Sequence, residues 1–261
     1  MNKGMSQHNP ADFVEINNYF DHIYVLTIDG SEKRQAALET SLKGLNWEFF
    51  YGVHKKNLDM DIVKEQGDYD DQRHLEVKRS NRSMSLSEIA CAMSHRAIYQ
   101  DVIIKNYQRV LILEDDVLPV YQNLSIFSAV ANELPDDWEL LMLGYYGEKK
   151  PTFKYRIQTK IYFLYHYLHL FNWHKVSVGW INSLCLSPYK MRLYTLGKVL
   201  GTHAYAVSNA GARKYIDYQD PIIIQADRVF NYQDYASVDK NFAVKEQIFA
   251  LSELSKESSI Q

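Results

Sequence analysis

The sequence predicts an α/β fold, a sheet of buried strands flanked by helices, and three observations carry that prediction. Two unbroken aliphatic runs, "RVLILEDDV" and "WELLMLG", have the length and uniform hydrophobicity of strands buried on both faces of a parallel sheet. Segments with helical spacing separate the strand-like runs, and strands alternating with helices are the pattern of α/β architecture. The chain opens its patterned region with a strand, a polar turn and a helix in immediate succession.

That opening unit starts at "HIYVLTI", His22 to Ile28, rich in β-branched and aromatic residues. The turn "DGSEKR" leads into a helix over 31–45, with Leu38, Leu42 and Leu45 at helical spacing and Gly44 near its end. "WEFFYGV" reads as a second strand. Residues 57–82 are polar and charged and read as a mobile surface excursion. A stronger helix signal follows, from Ser85 to about Lys105, because Ser85 and Glu88 have the spacing of a capping box. Glu88, His95 and Tyr99 project from one side of that helix, which is otherwise apolar enough to be buried. A strand over 201–208, "GTHAYAVS", runs into a helix "NAGARKYID" capped by Ser208 or Asn209.

The 261 residues suffice for one catalytic-sized domain, expected to span 21–251 between polar tails at 1–20 and 252–261. A net charge of -3 argues against a nucleic-acid partner, which would call for a basic excess. Two cysteines, Cys91 and Cys185, are too few for a disulfide framework and set a reducing, cytoplasmic expectation. No apolar run reaches the length of a membrane span or a signal segment, so neither secretion nor integral insertion is expected. One block breaks the charge balance: from 149 to 200 there are nine Lys or Arg and no acid, around the aromatic centre "IYFLYHYLHLFNWH". Cationic flanks about an aromatic core suit a membrane-surface segment, and an ordinary core helix is the alternative.

The acids Glu114, Asp115 and Asp116 fall at the end of a predicted strand, where α/β sheets bind ligands. Such a triplet suits a phosphoacceptor receiver or a metal-assisted nucleotide-sugar transferase. A receiver needs a further Asp after a later strand, and this chain has none from Trp138 to Ile216. A transferase needs a hard cation held by carboxylates to neutralise a departing diphosphate.

Several spaced blocks resemble glycosyltransferase family 25, the lipopolysaccharide and lipooligosaccharide galactosyltransferase group that also includes the collagen galactosyltransferases. "IYVLTIDGSEKR" is similar to that family's V-I-N-L-D-R-x-x-D-R opening, with Asp29 and Arg34 matching. "SLSEIACAMSHRAIY" resembles its L-S-x-x-E-I-G-C-x-L-S-H block through Glu88, Cys91, Ser94 and His95. "VLILEDDV", "WELLMLG" and "GTHAYAVSNAGARK" resemble its I-L-E-D-D, W-D-x-x-x-L-G and G-T-x-G-Y blocks, so the likeness covers about residues 22–230. Thr27, Ala90 and Ala204 depart from the family's Asn and Gly residues, and the basic aromatic block at 149–200 reads as an insertion without a counterpart.

The resemblance implies a GT-A-type nucleotide-diphospho-sugar transferase fold with a mixed, mostly parallel sheet. It implies a UDP-hexose donor, expected to be UDP-galactose, and inversion during transfer to a lipid-linked oligosaccharide of lipooligosaccharide or lipopolysaccharide type. A divalent cation, Mn²⁺ or Mg²⁺, is expected on Glu114, Asp115 and Asp116, with Asp116 the most direct ligand. Asp227 is the expected general base, and Asp116 and Glu114 complete the catalytic group. Thr27, Arg34, Ser94, His95, Asp115 and His203 are expected around the donor, whereas Glu88 is either a cap or a site residue. The inner face of the cytoplasmic membrane is the expected location. A non-catalytic nucleotide-sugar or membrane-surface binding protein on the same scaffold is the alternative.

Overall fold

The computed structural model of the chain describes residues 13–77, 81–148, 150, 152–231 and 240–257. Its centre is an eight-stranded sheet. Strands β1 (His22–Thr27), β2 (Glu48–Tyr51) and β3 (Arg109–Glu114) lie mutually parallel in the order β2-β1-β3. Next to β3 comes β8 (Leu200–Ser208), antiparallel both to β3 and to β5 (Leu140–Tyr146) on its other side. Beyond β5, strand β9 (Asn241–Val244) is parallel, and β7 (Leu193–Thr195) and β6 (Ser187–Pro188) complete the sheet with antiparallel pairings. Strands β1, β2, β3, β5, β6 and β9 therefore run one way, and β7 and β8 oppose them. The sheet is mixed and mostly co-directional, as predicted. A short antiparallel pair, β4 (Val117–Pro119) with β10 (Phe249–Leu251), lies at the acid-bearing end of β3.

The aliphatic runs behave as expected of central strands. In β3, residues Val110 to Leu113 are wholly buried, as are Leu140 to Leu143 in β5. They join one continuous core with Tyr205, Tyr215, Phe127 and Phe242. The neighbours of β3 differ from expectation on one side, because β8 is antiparallel. That reversal brings the start of β8, rather than its end, beside the end of β3.

Helix α2 (Glu32–Ser41) follows β1 and is shorter than predicted, ending before Gly44, whose φ of 100° closes the turn. Helix α5 (Leu86–Ile104) matches its prediction closely. Its capping box is complete, with Ser85 accepting from the Glu88 N–H and Glu88 reaching back to the Ser85 N–H. At its other end Asn106 adopts φ 55°, and the N–H groups of Asn106 and Tyr107 donate to the carbonyls of Ile103 and Val102. These are the paired bonds of a Schellman motif, which satisfies the last carbonyls and stops the helix. Helix α10 (Asn209–Gln219) is capped by Ser208 and packs on α5.

Three expectations change. Residues 13–20 are not tail: α1 (Val14–Tyr19) sinks Phe13, Ile16 and Phe20 into the main core. At the other end, residues 253–257 form a turn of 3₁₀ helix, and the Leu254 carbonyl is bonded by Arg34. The polar stretch 57–82 is organised by α3 (Met60–Glu65) and α4 (Asp71–Val77), and Val63 and Tyr69 build a small core with Met84, Ile89, Ala92 and Ile222. Its charges obscured that core, because α3 buries only Val63 and α4 only His74. Residues 1–12, 78–80, 149, 151 and 258–261, on which parts of the tail, excursion and insertion expectations fall, lie outside the described residues. Two short helices, α6 (Tyr121–Leu124) and α7 (Phe127–Glu133), connect β4 to β5. Helices α8 (Phe153–Tyr167) and α9 (Val178–Asn182) belong to the basic aromatic block. No helix among the described residues is long and apolar enough to cross a membrane.

Candidate active site

The carboxyl ends of β1, β3 and β5 and the amino end of β8 meet at one edge of the sheet. Two adjoining hollows open there and share Ser87, Cys91, Glu114 and Asp116. The smaller, about 80 Å³, is bounded by Thr27, Arg34, Ser94 and the acid triplet. The larger, about 420 Å³, is bounded by Glu88, Tyr146, Thr202, His203, Gln225 and Asp227. Glu114 and Asp116 stand on the ridge between them.

The three acids have three different environments. Asp115 is buried and turned toward β1, accepting from Thr27 Oγ1 at 2.7 Å and from Arg34 Nη1 at 2.8 Å. Arg34 is itself held by Nη2 on the Leu254 carbonyl at 3.1 Å. Glu114 accepts from the Thr202 hydroxyl across the β3–β8 seam, and His95 Nε2 lies 3.5 Å from its Oε1. Burial alone would raise the Glu114 carboxyl, but His95, Thr202 and His203 outweigh it and hold the group below its ordinary value. Asp116 is the acid without adequate company. Burial, with the charges of Glu114 and Asp115, pushes its carboxyl up to about 7 against the opposing effect of Arg34 4.0 Å away.

Unsatisfied polar atoms gather around this ridge. Among the described residues, Asp116 Oδ1, His95 Nε2 and His203 Nδ1 are buried without a hydrogen-bond partner. Native interiors rarely leave such atoms bare, and a cluster of them beside two carboxylates fits a bound cation. Cys91 Sγ, a His95 ring nitrogen and a Glu114 oxygen also lie within 4.8 Å of one another. Among the described residues the ligand group that converges is thus Cys91, His95 and Glu114 rather than the expected triplet: Thr27 and Arg34 occupy the oxygens of Asp115, and Asp116 stands beside the group without being part of it. Burial, together with the charges of Glu114, Asp227 and Glu88, keeps the Cys91 thiol well above its ordinary value.

His95 is fully buried, oriented by Nδ1 at 2.7 Å from the Tyr205 hydroxyl, which also contacts the Tyr99 hydroxyl at 2.8 Å. His203 lies nearly parallel to the Tyr146 ring, with centroids 6.1 Å apart, and is packed closely against two glycines. A Cβ at Gly144 would lie 2.7 Å from its Nε2, and one at Gly201, where φ is 91°, would lie 2.9 Å from its Nδ1. Burial lowers the His203 imidazole below its ordinary value, so the ring is neutral near pH 7. Asp227 faces the larger hollow and accepts weakly from the Gly201 N–H at 3.4 Å, with Arg228 Nε 3.8 Å away.

Two predicted residues have mainly architectural surroundings. The Ser94 hydroxyl donates to the Ala90 carbonyl at 2.7 Å and accepts from the Val53 N–H at 2.8 Å, which leaves it one remaining lone pair at the wall of the smaller hollow. Glu88 accepts from Ser85, from Arg82 at 2.7 Å through both nitrogens, and from Gln225 at 2.9 Å. Burial opposes the charge on Glu88, yet Arg82, Ser85 and Gln225 pull its carboxyl down to about 2. A group so acidic and so fully bonded is a poor proton acceptor near neutrality. Asp29 is exposed on the turn after β1.

Thr202, Tyr205 and Gln225 were not among the expected site residues. The first two follow from the register of β8 against β3, which pairs Leu113 with Ala204 and so carries Thr202 past Glu114. Gln225 comes from the segment before Asp227, where an apolar run gave no sign of a polar contact.

Fold and cleft together define an α/β protein with an acid-lined, two-part ligand cleft at one sheet edge. The chain belongs to glycosyltransferase family 25, described as a lipopolysaccharide biosynthesis family, whose profile matches residues 20–230. A "Glycosyltransferase 25 family member" of Drosophila pseudoobscura pseudoobscura is 33% identical over 104 residues, covering 37% of this chain and 16% of the relative. One from Aedes aegypti is 29% identical over 143 residues, covering 49% and 21%. A rat protein named "Probable inactive glycosyltransferase 25 family member 3" is 29% identical over 104 residues, covering 38% and 17%. The chain spans less than a quarter of the length of each of these relatives. Among solved structures, apo mouse xyloside xylosyltransferase 1 aligns with a TM-score of 0.36 and 10% identity over 80% of this chain and 67% of that one.

Proposed function

We propose that the chain is an inverting hexosyltransferase of GT-A type that moves a hexose, galactose by family resemblance, from a UDP-sugar to a lipooligosaccharide or lipopolysaccharide acceptor. The observation that carries this reading is the cluster of unpartnered buried atoms around Glu114 and Asp116, where two hollows meet. A divalent cation fits that cluster, with Asp116 and Glu114 to hold it and the His95 imidazole at hand. When bound, it would neutralise charge on the donor diphosphate.

The chain's own groups divide the remaining work. Thr27 and Arg34 line the smaller hollow, and Arg34, fixed by Asp115 and Leu254, is positioned to meet an anionic donor group. The larger hollow takes the acceptor. There Asp227 accepts the proton of the acceptor hydroxyl as its oxygen bonds to the anomeric carbon. The bond from that carbon to the diphosphate breaks, and UDP leaves with the electron pair, so the configuration inverts. Neutral His203 beside the same hollow is able to relay that proton.

A donor screen read by mass spectrometry, using the full chain with Mn²⁺ and with chelator, tests this reading. Transfer from a UDP-hexose with Mn²⁺, lost with chelator and lost in Asp116→Ala, is expected. Full transfer by Asp116→Ala refutes the assignment of Asp116, and nucleotide-sugar binding without any transfer or donor hydrolysis points to the non-catalytic alternative.

A further inference from the structure

Helix α8 (Phe153–Tyr167) buries none of its side chains completely. It is held on a separate small core, where Trp173, Ile181 and Leu184 pack with Tyr162, Phe163 and Trp180, and Tyr162 stacks on Trp173 at 3.9 Å. The side turned away from that core is apolar. Phe153 is 79% exposed, Leu164 54% and Leu168 57%, and Ile157 and Ile161 are also exposed. At 3.6 residues per turn these five positions fall in one stripe about 80° wide. Lys154, Arg156 and Lys160 are exposed along its borders. No acidic residue occurs between 149 and 200 to neutralise them.

We propose that this stripe docks on an anionic bilayer, the helix lying in the plane of the interface with its cations on the headgroups. An apolar face some 22 Å long, bordered by cations, is the form of an interfacial helix rather than a spanning one. Charge selects the occupant. A second copy placed face to face would bring three more cations and no acid from this block to the same seam, whereas acidic headgroups complement all three. The inference rests on the proposed transferase reading only in supplying a surface where a lipid-linked acceptor is anchored. Membrane binding itself is measured without donor or acceptor.

The test is co-sedimentation of the full chain with phosphatidylcholine vesicles, with and without phosphatidylglycerol. Binding to the anionic vesicles alone, weakening as salt rises, is expected. Each cation near the surface contributes roughly fivefold in affinity, so Lys154→Glu with Lys160→Glu weakens binding by at least about 20-fold. Ile157→Ser with Leu164→Ser removes it independently of charge. Both pairs lie on the exposed face, keep the wild-type melting temperature and keep transfer to a soluble, lipid-free acceptor. Loss of that transfer in the wild type counts against the enzyme reading and leaves the docking result standing. Equal binding to neutral vesicles, unchanged binding by both variants, or a concentration-dependent dimer abolished by Leu164→Ser in place of vesicle binding would overturn the proposal.

Discussion

Replacing Asp116 by Asn should stabilise the protein in the presence of chelator, and by an amount that grows with pH. The folded state pushes this carboxyl from its ordinary 3.8 to about 7, with the side chain only 13% exposed. Between those two values the folded chain binds a proton that the unfolded chain has released, so the wild type loses stability as pH rises from about 4 to 7. The shift is about three pH units, and at 1.36 kcal/mol per unit the loss approaches ~4 kcal/mol above pH 7. Asn is isosteric and has no charge to lose. The variant should therefore match the wild type near pH 4, exceed it by roughly half that amount near pH 5.5, and exceed it by ~4 kcal/mol at pH 8. In a chain of this size the last figure corresponds to a melting temperature about 7 °C higher. Thermal melts with chelator across pH 4–8 measure the effect. Added Mn²⁺ should then raise the wild type and leave the variant unmoved, because a ligand stabilises only the state that binds it. A variant less stable than wild type at every pH, or a gap independent of pH, refutes the view that this acid is held in a field built for a cation.

Tyr205→Phe removes the hydroxyl shared by His95 and Tyr99. It should cost about 1–3 kcal/mol and lower kcat about tenfold with KM unchanged, read by steady-state kinetics beside a denaturation curve. Gly144→Ala places a methyl 2.6 Å from the Phe249 carbonyl oxygen and 2.7 Å from His203 Nε2. A loss of at least about 2 kcal/mol is expected in urea unfolding, whereas Gly30→Ala, with no atom within 4 Å of its new Cβ, should lose only about 1 kcal/mol, from backbone strain at φ 88°.

Much of the fold was legible because its strands are buried on both faces and its longest helix carries its own start signal. An unbroken run such as Val110 to Leu113 leaves little choice of environment, and a capping box fixes α5 to within a residue. Direction was not legible in the same way. Nothing in "GTHAYAVS" distinguishes a strand parallel to its neighbour from an antiparallel one, since burial on both faces selects the same residues either way. The helices of 57–82 were hidden for the opposite reason. Their small core draws on Val63, Tyr69 and Met84, spread among charges that each short helix presents to solvent.

The reversed strand explains why the site was only partly readable. The acid triplet, Arg34 and His95 come from segments that each carry local chemistry; the acids and Arg34 line the cleft, and His95 lies buried behind Glu114. What separates the acids is long-range: Thr27 and Arg34 draw Asp115 toward β1, while Thr202, arriving on an antiparallel strand, secures Glu114 from the other side. Three adjacent carboxylates therefore become an anchor for Arg34, a charged ridge residue and an acid forced toward neutrality. Only the last has a buried oxygen without a partner. Charge that the sequence presents as a single cluster is thus parcelled by the sheet into one group that is satisfied and two that face the cleft. It is that imbalance, rather than the number of acids, that makes a cation the natural complement of this edge.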